Sequence, residues 1–576
     1  MLLDGAPDGR SYRSYRAATR AEASRVAAYA ALHLAAVGLR PLAERWDEAS
    51  GELVVAYAPQ PGLGRTTGSA KRRLAVVGVL LALLVGGGLF YSTLPEPEGR
   101  RVAGDPAAQS IPRSSPADDY SGPLPHFRPA DCRSDWLVGL DNECGDLIVL
   151  EDRSRPDGRR ISLHVAIQRS YSERPRPDPV VYLDGGPGAS PLLDGFWSYP
   201  FLEERDVIVF DQRGVGLSRP SLDCPEVLFV FLREEIDTLR DCRRRLLEQG
   251  VDLAAYNSAA SAADLADLRL ALGYDEWNLY GISYGTRLAL TAMRDRPAGI
   301  RSVILDSVYP PQRDLYAEGP ANAQRAFDKL FSACAADADC ALAYEDLEQR
   351  FYDVVARLDG QPREVGGLFG LGGTTVDGSM LINLLFYRLY MTDFLGEIPL
   401  AVDGFWRDDW ELLDAWLLDV VGASRRLSLL SLSEGQHFSV QCAEELPFSD
   451  HALLLAEQPG VRWPLTVAFG WQPTIDVCAM WDVPAAPAHE NEPVHSGLPA
   501  LLLAGTYDPI TPPSWAQSAA ETLPNAQLFI VPGVGHGVLG TSYCVDDLVE
   551  QFLDAPLETV VAGCLENERE PDFLLP

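Results

Sequence analysis

A serine set between two glycines is the first place in this chain where residue type and spacing suggest chemistry: Gly281-Ile-Ser283-Tyr-Gly285, inside "NLYGISYGTRLAL". A serine hydroxyl is a weak nucleophile in water. It needs a base, and the base needs an acid to orient it. Both stand far downstream. "LLLAGTYDPITP" carries Asp508 and "LFIVPGVGHG" carries His536, each directly after an apolar run. Of the eight histidines, His536 holds that position in the C-terminal part of the chain, while His164 and His437 read as structural or surface residues. Asp306, which ends "SVILD", is a rival acid able to reach the same imidazole; Asp508 is preferred.

Acyl transfer to a serine also needs donors for the oxyanion, usually preorganised backbone N–H groups. One is expected from Tyr284, the residue after the serine. The other is expected from "YLDGGPGAS", where Gly185, Gly186 and Gly188 let the backbone come close without side chains in the way, with Gly186 as donor. Such a set requires no metal and no organic cofactor. The ten cysteines form no CxxC pair, so a zinc site is not expected either.

These residues need a scaffold that brings loops from distant parts of the chain to one edge. "ISLHVAIQ", "PVVYLDG", "DVIVFDQ", "WNLYGIS" and "SVILDS" read as buried strands, several of them β-branched and bounded by Gly, Pro or Asp. "SAADLADLRLAL" and "YGTRLALTAM" read as helices between them. Strands alternating with helices predict a mostly parallel sheet covered on both faces. Past Asp306 the pattern turns helical and rich in tryptophan, and strand signals return in "LPALLLAG" and "AQLFIVPG". The expected organisation is a sheet domain in two parts, 132–308 and 494–576, interrupted by a helical cap at 309–493. In this setting Gly-x-Ser-x-Gly is a strand–turn–helix corner, with small neighbours because backbone would otherwise clash.

Upstream, Lys71, Arg72 and Arg73 precede Leu74–Tyr91, roughly 18 residues without a charge and near the lower limit for crossing a bilayer. A transmembrane helix over 74–91 is expected, with segment 1–73 cytoplasmic on the basic side. The alanine-rich part of that segment reads as helix. The Pro- and Ser-rich stretch 92–131 reads as a linker. All ten cysteines follow the hydrophobic segment, as expected of a domain in an oxidising, extracytoplasmic compartment. Sequential pairing is the expectation, although spacing alone leaves connectivity open. If the N-terminal segment is cleaved, the product is secreted. The net charge of −34 argues against nucleic acid as a partner.

"DGGPGAS" followed by "FDQRGVGLSRP" resembles the Gly-Gly-Pro-Gly and Asp-Gln-Arg-Gly signatures of the proline iminopeptidase group of α/β-hydrolases. "CGDLIVLEDRSRPDGRRISLHVA", "SVQCAEELPF" and "YCVDDLVEQFLDAP" resemble the secreted tripeptidyl aminopeptidase branch, over about Cys132 to Cys564. The resemblance implies an α/β-hydrolase fold with a helical cap and a serine exopeptidase acting on peptides with a free N-terminus. It places Glu444 and Glu445 at the amine-binding position, where charge-assisted hydrogen bonds would hold the ammonium. It leaves Asp211 and Arg213 as braces beneath the glycines. One departure is Asp184, where proline iminopeptidases usually carry histidine. An esterase or lactone hydrolase is the alternative within enzymes, and a silent surface-binding protein the alternative outside them.

Overall fold

The computed structural model describes residues 2–3, 11–16, 39–47 and 52–59 near the N-terminus. From residue 117 on it describes all but 118–119, 135–141, 196–199, 230–233, 366–373, 411, 414–415, 417–431, 451–457 and 470–471. Two compact units divide the chain, Met1–Gln109 and Ser110–Pro576. In the first, the strands Leu2–Leu3, Ser11–Arg16, Glu52–Pro59 and Leu39–Asp47 pair antiparallel in that spatial order. The alanine-rich stretch read as helix lies outside the described residues; in the described strands, Tyr12, Tyr15 and the run Leu53–Val55 favour a pleated ribbon. The expected membrane segment Leu74–Tyr91 lies outside the described residues. Among the described residues no helix is long and apolar enough to cross a membrane.

The second unit is organised around one nine-stranded sheet. Its strands are β1 (His126–Pro129), β2 (Asn142–Leu150), β3 (Arg160–Gln168), β4 (Val180–Leu183), β5 (Val207–Phe210), β6 (Trp277–Ile282), β7 (Ile300–Asp306), β8 (Ala500–Gly505) and β9 (Ala526–Val531). The spatial order is β9-β8-β7-β6-β4-β5-β3-β2-β1. The six strands from β5 to β9 in that order are parallel, and β3, β2 and β1 extend one edge antiparallel. Strands β1 and β2 carried no clear signal by themselves. Strand β1 occupies the end of the stretch read as linker, and its terminal Pro129 is tolerated because it lies on an edge.

Alternation along the central strands builds a core on each face. Leu279, Val303, Leu305 and Leu502 pack on one side with Ala262, Leu265, Leu288 and Ala516. Tyr280, Ile304, Leu501 and Leu503 pack on the other with Val545, Leu548 and Phe552. The helices that matter for the site are α1 (Ser258–Leu272), α2 (Tyr284–Asp295), α3 (Leu315–Ala336), α4 (Gly378–Tyr390), α5 (Glu434–Glu444), α6 (Pro513–Ala520) and α7 (Tyr543–Asp554). Helices α3 to α5 belong to the insertion, whose own core joins Phe327, Phe331, Phe351, Leu381, Leu385 and Phe405. The cysteines pair sequentially: 132–144, 224–242, 334–340, 442–478 and 544–564.

Beneath the glycine loop the signature acid and base act as braces. Asp211 accepts from the Ser190 hydroxyl at 2.7 Å and the Leu217 N–H at 2.6 Å. Arg213, fully buried, grips Asp264 through two bonds of 2.7 and 2.8 Å and donates to the Glu151 and Ala255 carbonyls. Arg213→Met removes one of two cations from the buried Asp264, the other being Arg153 at 2.5 Å, and leaves the Glu151 and Ala255 carbonyls without this donor. It is expected to cost about 3 kcal/mol, read as a lower melting temperature. Arg240→Met, which breaks an exposed pair with Asp237, should leave that temperature unchanged.

Candidate active site

The turn between β6 and α2 holds Ser283 at φ 55° and ψ −125°, a left-handed backbone that costs a non-glycine residue of order 1–3 kcal/mol. Its two glycine neighbours are explained by contact rather than by flexibility. A Cβ on Gly281 would overlap the Gly285 carbonyl, and a Cβ on Gly285 would overlap the carbonyl of Leu183 at the end of β4. The corner is thus pressed against the neighbouring strand. The loop after β4 arrives from the other side: a Cβ on Gly185 would lie 3.0 Å from the Ser283 Cβ. The Gly185 N–H is already bonded to Asp184 Oδ1 at 2.7 Å, and the Tyr182 hydroxyl donates to the same oxygen at 2.9 Å. Gly186 follows at φ 104°. Tyr284 opens α2, where backbone N–H groups have no intrahelical acceptor.

Beyond β9, His536 sits with its side chain almost wholly buried. Its Nδ1 is 2.8 Å from Asp508 Oδ2 and 3.1 Å from Thr511 Oγ1. Asp508, in the loop after β8, also accepts from the Ile510 and Thr511 N–H groups at 3.0 and 2.9 Å and from the Thr511 hydroxyl at 2.7 Å. Burial opposes its charge, but His536 and the Thr511 donors outweigh this and hold the carboxyl below its usual range. The imidazole Nε2 is buried with no hydrogen-bond partner. Close packing of the two loops requires glycine again, since a Cβ on Gly505 would strike the Gly535 carbonyl.

The rival acid has a different task. Asp306 accepts from the Val538 N–H at 2.8 Å, the Leu539 N–H at 2.9 Å and the Tyr280 hydroxyl at 3.0 Å. The Ser307 hydroxyl accepts from the Gly537 N–H at 2.8 Å. Asp306 therefore grips the backbone just after His536, and Asp508 grips the ring. Burial raises the Asp306 carboxyl, opposed by those same backbone donors.

Glu444 and Glu445 end α5 and are almost fully buried. Glu444 accepts from the Ser258 N–H and hydroxyl, both at 2.6 Å, and lies 3.5 Å from Arg287 Nε; Glu445 pairs with Arg287 Nη1. The Tyr284 hydroxyl is 2.8 Å from Ser258 Oγ, so a polar chain runs from Glu444 to the residue beside Ser283. Burial raises both carboxyls, Glu445 to about 7, against the lowering effect of Arg287. His437 is a structural contact at the glycine loop, with Nδ1 3.1 Å from the Pro187 carbonyl.

Several contributors carried no usable sequence signal. Thr511 lies three residues after Asp508, the one spacing by which it could have been found. Arg325 on α3 donates to the Thr506 carbonyl at 2.8 Å and to the Asp508 carbonyl, holding the acid loop from the cap. Tyr390, at the end of α4, stacks on His536. Among the described residues the grouping with metal-like spacing, Cys224, Glu226 and Cys242, is spent, because its two sulfurs are bonded to each other.

The sequence matches the family described as alpha/beta hydrolase fold over residues 178–542. The chain belongs to that family. Among its relatives, serine protease Hip1 of Mycobacterium tuberculosis is 26% identical over 451 residues, covering 71% of this chain and 84% of that one. The tripeptidyl aminopeptidase of Streptomyces lividans is 24% identical over 465 residues, covering 73% and 83%. A solved structure of a thermophilic esterase from Thermogutta terrifontis aligns over 70% of this chain and 97% of its own, at 16% identity and a TM-score of 0.33. With its family and its protease and aminopeptidase relatives, the α/β-hydrolase is a serine hydrolase.

The division of labour between the two acids is open to test. Asp508→Asn is expected to lower kcat on an activated ester by about 10⁴-fold, the scale for a triad acid turned amide. Asp306→Asn keeps an oxygen for the Val538 and Leu539 N–H groups and should lose far less. Steady-state kinetics on both variants checks the ordering.

Proposed function

We propose that this hydrolase is a serine exopeptidase that removes residues or short peptides from free N-termini through an acyl-enzyme. Ser283 Oγ attacks the scissile carbonyl while His536 Nε2 takes its proton. Asp508 fixes the tautomer through Nδ1 and stabilises the imidazolium. The N–H groups of Gly186 and Tyr284 receive the oxyanion, the Gly185 N–H being already engaged by Asp184. The imidazolium then protonates the leaving amine. Water, deprotonated by His536, releases the acyl group. The observations that support the hydrolytic part are the Asp508–His536 bond of 2.8 Å, which leaves Nε2 buried and unpartnered, and the strained turn at Ser283; Nε2 and the Ser283 hydroxyl are not hydrogen-bonded to each other in this structure.

The preference for a free amine rests on charge. Two buried carboxylates, Glu444 and Glu445, share one guanidinium, Arg287. When both ionise, the cluster carries one uncompensated negative charge, and burial resists it. A substrate ammonium supplies the missing cation. The tripeptidyl aminopeptidase name of a relative fits this reading, and the esterase alternative needs no such anchor. We further place the catalytic unit outside the cytoplasm, tethered by Leu74–Tyr91, in keeping with five disulfides and the preceding basic cluster.

Ser283→Ala is expected to abolish fluorophosphonate labelling, and persistent labelling would reject the nucleophile. Glu444→Gln and Glu445→Gln should lower kcat/KM on free-amine peptides by about 10–100-fold while turnover of an N-blocked ester persists, which also reports that the variants fold. Unchanged peptide turnover would remove the amine-anchor role of the two carboxylates. Because Glu445 titrates at about 7, it gains a proton as pH falls through that value and loses its hold on an ammonium. KM for a free-amine peptide should therefore rise below that pH, with no matching rise for the N-blocked ester.

A further inference from the structure

The cap reaches the reacting atoms through one turn. Helix α4 ends at Tyr390, where the chain runs against the loop that carries His536. The His536 N–H donates to the Tyr390 carbonyl at 2.8 Å, and the Gly535 N–H donates to Thr392 Oγ1 at 3.1 Å. A Cβ at residue 535 would sit 2.6 and 2.7 Å from the Leu389 and Tyr390 carbonyl oxygens, so glycine alone permits the approach. Above this turn the Tyr390 ring lies on the imidazole, with centroids 4.2 Å apart and planes inclined by 26°. Tyr387 continues the stack outward at 6.4 Å and 2°. Burial keeps the Tyr390 phenol protonated well above its ordinary range.

We propose that Tyr390 is a positioning residue for His536, so that the cap sets the alignment of the base. Asp508 alone leaves the imidazole free to swing about its bond to Cβ. The stacked ring removes that freedom from one face, and the carbonyl ties down the backbone beneath it. Seating of Leu389–Thr392 on the histidine loop thereby becomes a condition for reactivity. A cap residue acquires influence over substrates that never touch the cap.

This inference rests on the reading of Ser283 and His536 as the reacting pair, and the test separates the two. In the full-length chain, Tyr390→Phe, Tyr390→Ala, Tyr390→Leu and Ser283→Ala are compared by the second-order rate of fluorophosphonate labelling, by kcat and KM on p-nitrophenyl acetate, and by melting temperature. Tyr390→Phe, which keeps the ring on the imidazole, is expected to hold the wild-type labelling rate, kcat, KM and melting temperature. Tyr390→Ala, and Tyr390→Leu, which fills the space without a flat ring, should each lose about tenfold in labelling rate and kcat with KM unchanged, the scale of one aromatic contact. Wild-type rates in the alanine or leucine variant overturn the proposal, and so do rates in Tyr390→Phe as low as theirs. Faster labelling in those two variants overturns it too, because the ring would then be a shield. Labelling that persists in Ser283→Ala instead removes the underlying triad reading.

Discussion

The site hangs on a steric constraint at one point of the sheet: the backbone leaving β6 turns into α2 while in contact with the end of β4. No side chain can be accommodated at Gly281 or Gly285, and Ser283 is driven to positive φ. Strain of that kind persists when the surroundings over-determine it. Here they do: the Ser283 N–H is fixed to the Asp306 carbonyl at 3.0 Å, and the Ser283 carbonyl takes the Thr286 N–H at 2.9 Å. Hydrophobic cores on both faces prevent the sheet from yielding. The serine stands above the strand ends because the chain has nowhere else to put it.

Around that corner, buried carboxylates are distributed by task. Asp508 meets an imidazole and donors from Thr511, and stays charged in spite of burial. Asp306 meets backbone N–H groups and the Tyr280 hydroxyl, and burial dominates it. Asp211 braces the glycine loop through Ser190, Leu192 and Leu217. Residue type is the same in all three, and the partners decide the role. Desolvation makes each arrangement consequential, since an unmatched charge in these positions would be expensive.

The insertion is more than a cover. It has a hydrophobic core of its own, which gives it the rigidity to hold polar groups in place. From it Arg325 steadies the Asp508 loop, Tyr390 meets His536, and Glu444 and Glu445 meet Arg287 on the helix that follows Ser283. Three helices of the insertion thus contact the Asp508 loop, His536 and the helix after Ser283 separately. The disulfide between Cys442 and Cys478 ties α5 to the end of the insertion.

Much of this was legible in the residues themselves. Strands β3 to β9 announced themselves as short apolar runs, several of them β-branched, and the order serine, acid, histidine fell at strand ends. Strands β1 and β2 did not, since an antiparallel edge draws its stability from pairing rather than from local pattern. The sequence by itself determined which residue types could react and where the chain must turn sharply, and it left the cysteine connectivity open. Tertiary structure decided which of two aspartates faces the ring, that Glu444 and Glu445 share one arginine, and that Tyr390 lies on His536. Those outcomes depend on side chains meeting across hundreds of residues, and spacing along a chain carries no record of direction in space.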